Sequence, residues 1–181
     1  MKDKMSLIQR CRKHFITITK HKWFVFIECC KLGIIWQGIT HDLSKYSLAE
    51  FIPSAKYFQG NRSPIEAEKE AIGYSYAWRN HKGKNKHHWQ WYIDTEKNED
   101  GSWNITVAPM PLRYIKEMVA DMIGAGKAYS NGKSGLREVC RYYHKKKYEW
   151  VIHEETQKIL EDMIGYPLWL EKVACQMEAA E

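Results

Sequence analysis

The chain has 181 residues, enough for one domain of ordinary size and too few for a second with its own core. Hydrophobic residues make up 44% and charged residues 28%, and 8 Trp with 11 Tyr supply bulky core material, which excludes an intrinsically disordered chain. The formal charge of +6 suggests an anionic partner, although a surplus of surface Lys also serves solubility alone.

No apolar run approaches the roughly 18 residues of a membrane span. The densest stretch, Trp23 to Trp36, is interrupted by Glu28, Lys31 and Gly33, so no membrane partner is expected. The N-terminus has basic residues but lacks the apolar segment and small-residue cleavage site of a secretory signal, and the expected location is the cytoplasm. Cys11, Cys29, Cys30, Cys140 and Cys175 are odd in number and contain no CxxC pair, which argues for reduced thiols rather than a disulfide framework or a zinc ribbon.

With no repeat and no Gly/Ser- or Pro-rich linker, the whole stretch 1–181 reads as a single domain. From Leu7 to about Gln37, apolar residues recur at helical intervals (Phe15, Ile18, Trp23, Phe26, Ile27, Cys30, Ile34), with a break expected near Thr17 to His21. Ser47-Leu-Ala-Glu50 has the form of a capping box, so a helix is expected from Ser47, kinked or ended early by Pro53. Ser63-Pro64-Ile65-Glu66 joins a capping box to a Pro at the first helical position. This predicts a helix from Pro64 to about Asn80, with His81 at its C-terminal edge and Lys82-Gly83 as its stop. Trp89 to Asp94 and Trp103 to Val107 flank a polar segment in the manner of a small hairpin. The helical period returns through Leu112, Ile115, Val119 and Met122 to about Tyr129, where residues 131–135 form a turn. Two more helices fill 136–165, and Pro167 to Glu181 is a last short helix or a frayed tail. The fold class is all-α: a helical bundle with a small β-hairpin insertion.

Five of the eight histidines form an ordered series with two aspartates: His21, His41-Asp42, His81, His87-His88 and Asp121. Imidazole and carboxylate together suit a divalent Mn, Fe, Zn or Mg ion rather than a soft thiolate site. A cation that activates water needs several ligands from different elements and one open position, and a carboxylate such as Asp42 bridges two ions about 3.5 to 4 Å apart. Blander readings exist for each residue. His41-Asp42 also suits a turn in which the Asp bonds backbone N–H groups. Asp121, among Val119, Ala120 and Met122, needs a partner if buried, either a cation or an Arg such as Arg113 or Arg79. His81, His87 and His88 stand among Lys82, Lys84 and Lys86, as in a solvated basic loop. His14, His144 and His153 fall outside the series and read as structural. The aromatic residues at 74–78 and 89–92 read as core or as stacking partners for a nucleobase, and His144 to Lys147 as a solvated helix end.

The order His, His-Asp, His, His-His, Asp resembles the HD-domain superfamily of metal-dependent phosphohydrolases over residues 14 to 130. THDLSKYSLAEF (40 to 51) is similar to the HD-x-x-K stretch of its HD-GYP branch, and MVADMIGAGKAYS (118 to 130) to that branch's last ligand segment. The resemblance implies an HD-type bundle of about six or seven helices. It also implies that His21, His41, Asp42, His81, His87, His88 and Asp121 hold one or two divalent ions. Asp42 and Lys45 would carry catalysis, with Lys45, helped by Lys127, contacting a substrate phosphate. Trp89-Gln90-Trp91 stands where the Gly-Tyr-Pro motif would follow, so that branch's specificity is not implied. Thr17 occupies the place of an additional acidic ligand, which favours one or two ions over three. A second resemblance is to an uncharacterised family of small bacterial and phage proteins with an HDLSK string. The implied function is hydrolysis of a nucleotide or cyclic nucleotide phosphate ester through a metal-activated water. A protein that binds a nucleotide signal or nucleic acid without cleaving it, and a diiron oxygenase on the same scaffold, are the alternatives.

Overall fold

A computed structural model describes residues 5–178. Residues 1–4 and 179–181, and the thiol of Cys175, lie outside that description. Among the described residues are nine α-helices and one two-stranded antiparallel hairpin, an all-α fold with a small β insertion. No described helix is long and apolar enough to cross a membrane.

Helix α1 (Leu7–Lys31) opens on a capping box in which Ser6 and Gln9 satisfy each other's backbone N–H groups. It runs unbroken through Thr17 to His21, contrary to the expected break. The Thr17 hydroxyl bonds back to the Lys13 carbonyl at 2.9 Å, so the β-branched residue remains compatible with the helix. The buried stripe also differs from the apolar one read in the sequence. His14, Ile18, His21, Val25 and Cys29 face inward, whereas Phe15, Trp23 and Cys30 are exposed. Polar imidazoles take core positions here because the interior beside α1 is itself polar, as described below.

A short α2 (Ile35–Thr40) leads to a 3-10 turn at Leu43–Tyr46 and to α3 (Leu48–Tyr57), which continues past Pro53. Ser47 is the N-cap as expected, but the capping box does not form. The Ser47 hydroxyl donates to the Ser44 carbonyl at 2.6 Å, and Glu50 turns into the interior. The single helix expected over 64–80 is two, α4 (Pro64–Ile72) and α5 (Tyr76–Lys84). Gly73 caps α4 at φ +83, where only glycine sits without strain, and Ser75 starts α5 by accepting from the Trp78 N–H. Ser75 also donates to the buried carboxylate of Glu68. His81 therefore lies inside α5, and the helix passes Gly83 before ending.

Strands β1 (Ile93–Lys97) and β2 (Trp103–Val107) pair with Ile93 opposite Val107 and Lys97 opposite Trp103. Trp89–Tyr92, expected at the start of the first strand, forms a 3-10 turn instead, and the strand extends over Glu96-Lys97. Helix α6 (Leu112–Tyr129) is central, packed along α1 on one side and against α7 (Leu136–Lys146) and α8 (Glu154–Ile164) on the other. α9 (Tyr166–Glu178) closes the second side. The main apolar core joins Ile115, Val119, Tyr143, Leu160 and Tyr166. The α1/α6 seam is tight at Gly124, where a Cβ would lie 2.4 Å from Val25 Cγ2 and 2.9 Å from Val25 N. His21 is one turn before Val25, and Asp121 one turn before Gly124, so this close approach brings the imidazole and the carboxylate side by side.

Candidate metal centre

The polar interior is assembled from four places in the chain. α1 carries His21, the turn after α2 carries His41 and Asp42, α5 and the loop after it carry His81, His87 and His88, and α6 carries Glu117 and Asp121. Asp42 adopts φ 53, ψ 28 in the left-handed region, a conformation taken by only one other described non-glycine residue, Asn131. Such backbone costs of order 1 kcal/mol for Asp and persists where surrounding contacts determine it. Here it turns both His41 and Asp42 toward the centre, each almost wholly buried.

The two oxygens of Asp42 serve different groups. Oδ2 lies 3.1 Å from His41 Nε2, 3.3 Å from His21 Nε2 and 2.5 Å from Lys45 Nζ. Oδ1 lies 3.3 Å from His81 Nε2 and 3.5 Å from His87 Nε2. On the Oδ2 side, Asp121 Oδ1 stands 3.1 Å from His21 Nε2 and 3.4 Å from His41 Nε2. Two ligand clusters result, His21–His41–Asp42–Asp121 and Asp42–His81–His87–His88, and Asp42 belongs to both. All seven ligands expected from the sequence are thus brought together.

Three of the imidazoles are oriented from behind by two glutamates. Glu117 Oε1 accepts from His41 Nδ1 at 2.9 Å and lies 3.2 Å from His87 Nδ1, and Glu50 Oε2 accepts from His81 Nδ1 at 2.9 Å. A donated Nδ1 proton leaves the Nε2 lone pair free and aimed at the centre, the arrangement found behind metal-ligating histidines. Glu117 and Glu50 were missed in the sequence. Glu50 was absorbed by the apparent capping box, while Glu117 carried a signal, since it stands one helical turn before Asp121 on the same face of α6.

Buried His/Asp/Glu clusters of this kind could hold a metal ion, and the donors pass two tests of fit. Donors about 2.1 Å from one cation lie about 3.0 Å apart at a right angle and about 3.4 Å apart at the tetrahedral angle. The separations from His21, His41 and His81 to Asp42 and Asp121, 3.1 to 3.4 Å, fall in that range, and the 3.5 Å from His87 Nε2 to Asp42 Oδ1 lies just outside it. Second, Asp42, Asp121, Glu50 and Glu117 put four carboxylates in one interior, with the Lys45 ammonium in contact with Asp42. Such a concentration of negative charge away from water needs protons on the imidazoles or cations between them. Asp42 Oδ1, His87 Nε2 and His88 Nε2 are buried with no hydrogen-bond partner, as expected of atoms whose partner is an ion.

The charges follow from the same crowding. Burial opposes ionisation of Asp42, yet His41, Lys45 and His81 hold its carboxyl well below the usual range. Burial likewise opposes charge on His41, and Asp42, Asp121 and Glu117 overcome it and raise that imidazole well above its ordinary value. His88 shifts the other way: burial, then the neighbouring His87 and His81, lower it, so it remains a neutral donor.

The centre opens on a cleft of about 570 Å³ whose lining includes His21, His81, His88, Asp121 and Lys45. Trp78, Trp89, Tyr142 and Trp150 give it an aromatic wall. Lys127 departs from the expected role. It pairs with Glu28 at 2.6 Å and does not line the cleft, because its position on α6 faces α1 rather than the opening. Neither Arg113 nor Arg79 pairs with Asp121; each lies over a tyrosine ring instead. Of the histidines outside the series, His153 caps α8 and His144 bonds the Tyr166 hydroxyl at 2.6 Å. His14 is buried against Phe51 and Phe58 at the edge of the cleft.

The chain matches the family of unknown function DUF5662 over residues 10–166. It belongs to that family. The stretch of this DUF5662 protein that matches takes in every candidate ligand from His21 to Asp121, both glutamates behind them and the cleft wall as far as Trp150. No curated protein and no solved structure matches the DUF5662 chain.

Proposed function

We propose that this protein is a metal-dependent phosphohydrolase acting on a nucleotide or cyclic nucleotide phosphate ester, working in the cytoplasm. The observation that carries the reading is the division of Asp42, with one oxygen facing His21 and His41 and the other facing His81 and His87, beside the Lys45 ammonium. The order of these residues resembles the HD-domain superfamily, which adds support. Mn, Fe, Zn and Mg all accept imidazole and carboxylate donors, and two donor clusters suit one or two ions. A bound divalent ion would supply Lewis-acid charge and lower the pKa of a water from about 15.7 toward about 7.

The chain's own residues supply the rest. Glu117 and Glu50 hold three imidazoles in the tautomer that keeps Nε2 available. Asp42 and Asp121 concentrate negative charge that attracts the cations. Lys45, raised by Asp42 and Asp121 despite the opposing effect of burial, stays charged at the lip of the cleft. There it stabilises charge developing on a phosphoryl oxygen. The cleft leaves room for the group esterified to that phosphate.

The test is a panel of phosphodiesters and nucleotides assayed with Mn added, comparing wild type with Asp42→Ala, His41→Ala and Lys45→Gln. The proposal expects turnover that disappears in the first two variants together with bound metal, and falls in the third with metal retained. Metal bound with no turnover anywhere in the panel would favour a binding protein, and turnover that requires iron and oxygen would favour an oxygenase.

A further inference from the structure

Gln90 has no role in the centre, yet its side chain is placed as a reader of ligands. It lies in the 3-10 turn Trp89–Tyr92, immediately after the His87-His88 pair, and lines the same cleft. Its carboxamide oxygen is buried with no hydrogen-bond partner. A buried carbonyl oxygen left unpaired calls for a partner, and of the two carboxamides in that state, Asn80 and Gln90, it is Gln90 that lines the cleft beside the centre. Trp89, its neighbour in the chain, and Trp150 line the same cleft, where Trp150 stands 6.5 Å from Tyr142, another lining residue.

We infer that Gln90, with Trp89 and Trp150, forms a subsite for a nucleobase attached to the phosphate held at the metal centre. A carboxamide presents one acceptor and one donor side by side. That is the complement of a heteroaromatic edge carrying a donor next to an acceptor, as nucleobases do. Ring stacking supplies affinity for any such base without choosing among them, and the carboxamide distinguishes a base from a plain aromatic ring. The inference rests on the proposed function in that it takes the metal centre as the phosphate end of the ligand, and it makes Gln90 the residue that selects nucleotides over other phosphate esters.

The experiment measures equilibrium binding rather than turnover. Protein loaded with Mn is titrated with AMP, GMP, CMP and UMP, and separately with inorganic phosphate and phenyl phosphate. Tryptophan fluorescence and calorimetry are the readouts, in wild type and in Gln90→Leu, with Mn content measured in both. The expected result is that wild type binds at least one nucleotide more tightly than phenyl phosphate, with the indole emission quenched. Gln90→Leu narrows that preference by roughly tenfold, the loss of about one hydrogen bond to a buried acceptor. An undiminished preference in Gln90→Leu overturns the inference, as does a wild type that binds phenyl phosphate as tightly as every nucleotide. Absence of hydrolysis alongside intact, Gln90-dependent nucleotide binding would overturn the proposed catalysis and leave the subsite standing.

Discussion

Glu117 offers the sharpest perturbation, because one carboxylate oxygen supports an imidazole from each ligand cluster. Replacing it with Ala leaves His41 Nδ1 and His87 Nδ1, now 2.9 and 3.2 Å from Oε1, without acceptors in a buried site. Each unpartnered buried donor costs about 1 to 3 kcal/mol, and loss of such supporting groups lowers metal affinity about 10- to 100-fold. Since His41 serves one cluster and His87 the other, both positions should weaken by that factor. Glu117→Gln keeps an acceptor oxygen but not its charge, and charge-assisted bonds are about twice as strong as neutral ones, so its loss should be nearer tenfold. The assay is a competition titration of Mn or Zn against a chromophoric chelator, with circular dichroism to confirm that both variants fold. The reasoning fails if Glu117→Ala binds metal like the wild type, or if one position weakens and the other does not.

Two further outcomes follow from the packing and the charges. Gly124→Ala should cost about 1 to 3 kcal/mol of stability, measured by urea denaturation, and also reduce metal affinity, because the added Cβ meets Val25 at 2.4 Å and parts the seam that joins His21 to Asp121; a stability loss with metal binding untouched would contradict it. Burial, and then the Lys45 charge, lower His14 to about 4 from an ordinary 6.5, so the unfolded chain takes up a proton that the folded chain refuses between these values. Stability from this group is therefore full above pH 6.5 and lost as the pH falls toward 4, by about 3 kcal/mol in all. Unfolding free energies of wild type and His14→Phe across that window should diverge, and parallel curves would refute the assignment.

Much of the site was legible because metal ligands need particular side chains wherever they fall in the chain. His41-Asp42 and Asp121 stood out by residue type, and a helical bundle is the kind of fold that gathers such distant residues. The supporting shell was less legible. Glu50 satisfies the pattern of a capping box, and only the three-dimensional arrangement reveals that its carboxylate serves His81 instead. The inward stripe of α1 was hidden for a related reason: hydrophobic periodicity assumes an apolar interior, and His14 and His21 face a polar one. The division of the 64–84 segment had a local cause that was present in the sequence, Gly73 followed by Ser75, but it was masked by the uninterrupted helical character on both sides. Lys127 was placed by resemblance alone, and its direction on α6 depends on packing against α1 that no local pattern encodes.

Anomalous diffraction from crystals grown with Mn, recorded at the metal edge, tests the central claim most directly. Ions bound on either or both sides of Asp42, ligated through the Nε2 atoms of the histidines that face each oxygen, are the predicted result. Density that places no ion within ligand distance of Asp42 in Mn-saturated crystals would contradict it.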